Sequence, residues 1–125
     1  MKIQKRNRKF LVGKNKNISL VDKGSIFLKN NENISIQFNS KMNFDVVKKN
    51  WGFYALPSIN KRLKKFKLNA VIVESKNFKT FFILLVAKDK KKISEFKNYC
   101  KKENLKIIIW LNDHNFSLIK KYFKI

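Results

Sequence analysis

Glu74, Ser75 and Lys76 give the E-x-K spacing found in metal-dependent nucleases, and Asp45 lies on an earlier extended stretch. Two carboxylates so placed could hold Mg²⁺ while the lysine stabilises charge at the attacked phosphate. The match is three residues long, and a basic helix is expected between the two strands, an order that such a nuclease core does not have. Other routes to chemistry are poorer still. Cys100 falls on the apolar stripe of an expected helix, which makes it a structural thiol, because a nucleophile needs a base beside it. His114 sits next to an expected helix cap and reads as a surface residue. One His and one Cys cannot build a four-ligand metal centre, and the isolated Gly13, Gly24 and Gly52 cannot form a phosphate-binding loop. The balance is toward a protein that is not an enzyme, with the nuclease as the one reaction class left open. No cofactor and no metal site is expected.

Richer chemistry lies in Trp51–Lys67, WGFYALPSINKRLKKFK, which holds the single proline and one of the two tryptophans. Pro57 suits the first turn of a helix and Ser58 beside it can cap. Ile59, Leu63 and Phe66 then follow at helical spacing as one apolar stripe. Lys61, Arg62, Lys64, Lys65 and Lys67 fill the other faces, so five cations gather at a helix start whose free N–H groups attract anions. Lys90 and Lys91, at the start of a later helix, extend the candidate polyanion surface. Trp51, Tyr54 and Asn60 are the candidate lining of a pocket beside it. The alternative for all of these is a packed stripe with a solvated basic face. Phe27 and Phe38, on strands expected to be neighbours, are a further candidate platform for stacking unpaired bases.

Charge decides the partner class. The 125 residues carry 30 Lys and Arg against 8 Asp and Glu, a net charge of +22. Lysine dominates arginine, and Asn, Ile and Phe are abundant, as an AT-rich coding sequence would write. That bias also permits glutamate, so the scarcity of acids is the informative half of the charge. Such a field favours nucleic acid or another anionic ligand. A lone cysteine forms no internal disulfide and suits a reducing cytoplasm, the expected location. The longest apolar run, Phe81–Ala87, is seven residues and too short to cross a bilayer as a helix, so no transmembrane segment is expected.

These residues must be held by a fold, and the pattern predicts an α+β one. Residues 1–9 carry Lys2, Lys5, Arg6, Arg8 and Lys9 with no acid and read as a basic flexible arm. Residues 10–125 read as a single α+β domain. Period-two alternation predicts strands near 18–22, 25–29, 34–39 and 43–48, with a hairpin turn at Asp22–Ser25 and another turn at Asn30–Asn33. After the Pro57 helix come strands at 70–73 and 80–86, the latter expected to be buried on both faces. A helix capped by Asp89 runs to about Glu103, then a strand at 106–111, then a helix capped by Asp113. The order from residue 43, β-α-β-β-α-β-α, predicts a ferredoxin-like split βαβ sheet with a C-terminal helix, joined to an N-terminal β-meander. A small β-barrel on residues 10–55 is the rival.

Trp51-Gly52-Phe53-Tyr54, Pro57-Ser58, Asn60 and Arg62-Leu63, with Trp110-Leu111-Asn112-Asp113 near the end, resemble a family of small bacterial proteins. The resemblance covers roughly residues 43–113. Those proteins are associated with cell-surface polysaccharide gene clusters, which implies an accessory role beside sugar-nucleotide or glycan assembly and a glycan-assembly protein as partner. Two functional expectations stand side by side. The first is a non-catalytic basic protein that contacts a polyanion, above all nucleic acid, through its lysine-rich helix. The second is an accessory protein of polysaccharide biosynthesis.

Overall fold

Leu68-Asn69-Ala70-Val71-Ile72-Val73 is apolar at both odd and even positions, so as a strand it needs cover on both faces. That cover is what the fold builds. The computed structural model describes residues 1–125 as β1 (Lys2–Val12), β2 (Ile18–Phe27), β3 (Asn33–Gln37), β4 (Asn43–Lys49), β5 (Gly52–Tyr54), α1 (Arg62–Lys65), β6 (Leu68–Ser75), β7 (Thr80–Ala87), α2 (Lys90–Lys102), β8 (Leu105–Trp110) and α3 (Asp113–Phe123). The class is α+β, and every strand pairing is antiparallel. No helix is long and apolar enough to cross a membrane.

β6 is the centre of a three-stranded sheet ordered β7-β6-β8. On one face Val71 and Val73 pack with Val86 against Ile93 and Phe96 of α2 and against Trp110. On the other, Leu68 and Ala70 pack under Leu63 of α1, with Met42, Phe44 and Ile59 beside them. Leu63, Val71 and Val73 are wholly buried. A second sheet, β3-β4-β5, thereby docks on the first through Phe44. β1 and β2 form a separate two-stranded ribbon.

The ferredoxin-like arrangement does not form, because β4 joins β3 and β5 and leaves β6 to take the central place. Half of the motif survives: β7 and β8 both run antiparallel to β6, hence parallel to each other, and α2 connects them. No barrel closes over residues 10–55, since that region divides between two open sheets. β7 was expected to be buried on both faces, yet it is an edge strand with Phe81 and Ile83 largely exposed. Its apolar run meets α2 on one face only in part.

Residues 1–9 are not a loose arm. Lys2–Val12 pairs with Ile18–Phe27, and the hairpin turn is at Gly13–Lys16, where Lys16 N–H donates to the Gly13 carbonyl at 3.1 Å. Asp22–Ser25 is therefore continuous strand. Gly24 is needed for close approach, not for a turn: its φ is +135°, and a Cβ there would collide with the Gln4 carbonyl oxygen across the ribbon. The register slips beside it, between Lys5 and Arg8. Arg6 Nε donates to Asp22 at 2.9 Å and Arg8 lies 3.6 Å from the same carboxylate, which fastens that slip. The Arg6 hydrogen bond, followed by that from the Gly24 N–H, holds the Asp22 carboxyl below its ordinary value.

Leu63→Ala should destabilise the fold by about 2–5 kcal/mol in denaturant unfolding, because it opens a cavity on β6. Phe81→Ser, at an exposed site, should change stability by no more than about 0.5 kcal/mol. Asp22 has a folded pKa below its unfolded one, so its contribution is present above the ordinary aspartate range and is lost as pH falls through the lower folded value. Protection of the β1 and β2 amides relative to their intrinsic exchange should fall as pH drops through the lowered folded value of Asp22, and Asp22→Asn should remove that component.

Candidate polyanion interface

The hairpin of β6 and β7 sets the geometry of the basic region. Its register pairs Leu68 with Ala87, and one step further Lys88 N–H donates to the Lys67 carbonyl at 3.0 Å. The basic run 61–67 enters this hairpin and the basic run 88–91 leaves it, so antiparallel pairing brings the two together. Lys67 takes a left-handed conformation, φ 59°, which ends α1 and turns the chain into β6. Lys61, Lys64, Lys65, Lys67, Lys90 and Lys91 are all exposed.

Between these runs and the end of β8 lies a cleft of about 270 Å³, lined by Lys64, Asn69, Lys88, Trp110, Leu111 and Asn112. Two ammonium groups, two side-chain amides and an indole ring thus share one depression. Trp110 is fixed from behind by Phe96, with ring centroids 5.9 Å apart and edge-to-face. Asn112 caps α3 by accepting the Asn115 N–H at 2.9 Å, the role expected of Asp113. Asp113 instead accepts Asn60 Nδ2–H at 2.9 Å. Asp89 caps α2 as expected, accepting the Lys91 N–H at 2.8 Å.

The expected helix from Pro57 shrinks to the single turn Arg62–Lys65. Ser58 Oγ accepts the Arg62 N–H at 3.0 Å, but residues 59–61 form a turn in between, and the residue that flanks the helix is Lys61, which makes no side-chain cap. One helical turn carries no useful dipole, so any anion here must be held by side chains. Arg62 is occupied: it lies 3.2 Å from Asp45 and 5.6 Å over the Phe66 ring. The other six nominated cations have no carboxylate partner, since Lys92 with Glu95 is the only lysine ion pair in the chain.

The aromatic pocket is brought together only in part. Trp51 and Tyr54 pack edge-to-face, 5.4 Å between centroids, and both are exposed. Tyr54 and Arg62 line a second cleft of about 210 Å³ with Asp45 and Ser58. Asn60 is turned away to Asp113. Phe27 and Phe38 share no platform, because β2 and β3 belong to different sheets. The nuclease set is not assembled either. Asp45 is bound by Ser35 Oγ at 2.6 Å and by Arg62, Glu74 is in the other sheet, and no three His, Cys, Asp or Glu residues gather as metal ligands.

Lys88, Asn69 and Asn112 were absent from the candidate residues read from the sequence. The signal for Lys88 was the hairpin register, which carries any residue just before β6 opposite one just after β7. No family model matches the chain, and no curated protein or solved structure matches it either.

Cys100 is 5% exposed, and burial pushes its thiol above the ordinary value. Less thiolate and poor access should slow alkylation by iodoacetamide at least about tenfold in the native protein relative to the denatured chain. Equal rates would contradict the packing of α2.

Proposed function

We propose that this chain is a non-catalytic basic protein that binds a polyanion, with nucleic acid as the best-fitting class. Lys64 and Lys88 share one cleft, Lys67 is held beside Lys88 by a backbone hydrogen bond, Lys90 and Lys91 follow in the chain, and no carboxylate neutralises any of them, which supports this reading. Lysine ammonium groups are flexible point charges without a fixed fork, so they suit phosphates strung along a backbone better than one planar carboxylate. Binding would draw mainly on counterion release and carry little sequence information. Trp110, one of the residues lining the cleft, offers a ring on which an unpaired base could rest. Arg62 serves by holding α1 to β4 through Asp45, and is a positioning residue in this reading.

A second reading draws on the cleft of Tyr54, Ser58 and Arg62, which has an aromatic ring, a hydroxyl and a guanidinium shared with Asp45 within one small volume. These groups suit a sugar phosphate and agree with an accessory role in cell-surface polysaccharide assembly.

Fluorescence anisotropy with a labelled single-stranded oligonucleotide separates the two. The K64E/K88E double substitution should abolish most binding at low salt. K64A/K88A should lower the slope of log K against log salt by about two. A slope unchanged by K64A/K88A would reject the first reading. Saturable binding of a sugar nucleotide, lost in Tyr54→Ala and indifferent to K64A/K88A, would favour the second.

A further inference from the structure

Ser75 ends β6 as a polar residue among apolar ones, and it is only 5% exposed. The serine hydroxyls that bond to other groups of the chain are those of Ser25, Ser35 and Ser58. Ser75 is not among them. Yet no fully buried side-chain oxygen or nitrogen lacks a partner, so the Ser75 hydroxyl opens onto space that a molecule can enter. That space is a second cleft of about 270 Å³, which Ser75 lines.

Three elements enclose it. Cross-strand pairing sets Phe82 beside Val73 and Leu105 beside Ser75, so these side chains share the sheet face that α2 covers, and both line the cleft with Leu84. Tyr99 and Glu103, one helical turn apart at the end of α2, line it as well. The turn Val12–Lys14 of the β1–β2 ribbon completes the lining and is fixed in place. Lys14 N–H donates to Glu103 Oε1 at 2.7 Å, and a Cβ on Gly13 would come within 2.6 Å of the same oxygen. The lysine cleft described above is separate: it adjoins Ala70, and about 17 Å of strand lies between Ala70 and Ser75.

The lining selects its occupant. Phe78, Phe82 and Tyr99 bring three aromatic rings, which favours a flat molecule. Glu103 and Lys14 contribute one charge of each sign, so the lining favours neither an anion nor a cation, and a charged group would lose its hydration without return. Ser75 Oγ offers one donor and free acceptor capacity, the match for another hydroxyl. We infer that this cleft binds a small uncharged molecule of one or two fused rings that carries a hydroxyl, its rings among Phe82, Leu84 and Leu105 and its hydroxyl on Ser75 Oγ.

Titration of the full chain with 2-naphthol, followed by amide chemical shifts, tests this. Lys14, Ser75, Phe82 and Tyr99 should shift on one isotherm with a Kd below about 1 mM, while Lys64 and Lys88 stay still. Ser75→Ala should raise that Kd roughly threefold to tenfold, the loss of one neutral hydrogen bond. It should leave the shifts produced by naphthalene, which has no hydroxyl, unchanged at matched concentration. 2-Naphthoate should bind at these residues at least about tenfold more weakly than 2-naphthol. Glu103→Gln, which keeps an acceptor for the Lys14 N–H, should narrow that gap without altering the Kd of 2-naphthol. No shift at the four residues up to about 1 mM 2-naphthol overturns the inference, as do shifts confined to the Trp110 cleft. So does a Ser75→Ala chain that binds 2-naphthol as tightly as the parent, and so does 2-naphthoate binding there as tightly as 2-naphthol.

Discussion

A strand that is apolar on both sides cannot be left at the rim of a small protein, and β6 is the strand around which this chain arranges its layers. α2 with part of β8 covers the Val71 and Val73 face, while α1 and β4 cover the Leu68 and Ala70 face. That requirement explains why β4 leaves the sheet a ferredoxin-like order would give it. It serves as the roof of β6 through Phe44 and Met42, and the central place falls to β6. The same requirement fixes the basic region. Once β6 and β7 pair as a hairpin, whatever flanks them is driven together, and here the flanks are two lysine runs.

The few acids are spent almost entirely inside the structure. Asp22 closes the ribbon on Arg6 and Arg8, Glu32 receives the chain's N-terminus and the Lys29 N–H, and Asp45 holds Arg62. Glu103 accepts the Lys14 N–H at the tip of the ribbon, and Asp89 and Asp113 are taken by a helix cap and by Asn60. All three arginines are likewise paired with aspartates. Arginine's planar fork is thus used for architecture and lysine is left for the surface. The positive charge faces outward with almost nothing intramolecular to balance it, which is the physical basis of the proposed polyanion contact.

Much of this was legible in the residues. The alternation behind the expected strands 18–22 and 34–39, the Asp89 cap, and the stripe Ile93, Phe96 and Cys100 are local signals, and local structure followed them. What failed depended on distance. Gly24 after Asp22 looks like turn chemistry, but the strand across the ribbon, not the local chain, demanded the glycine. Pro57-Ser58 looks like a helix start, but Asn60 answers Asp113 some fifty residues later and Lys67 must turn into β6, so only one turn of helix remains. The run Phe81–Val86 has the composition of a doubly buried strand, yet composition cannot say which strand takes the centre. Of the candidate site, the lysines of both runs were visible as residues. Their meeting, and the participation of Lys88 and Asn112, required the hairpin register.

The account stands or falls on whether the two lysine runs act as one surface. Amide and indole chemical shifts, followed by NMR while a short single-stranded oligonucleotide is titrated in, address this directly. Residues 64–67, residues 88–91 and the Trp110 indole should shift together with one midpoint. Shifts confined to the β1–β2 ribbon, or separate midpoints for the two runs, would contradict it.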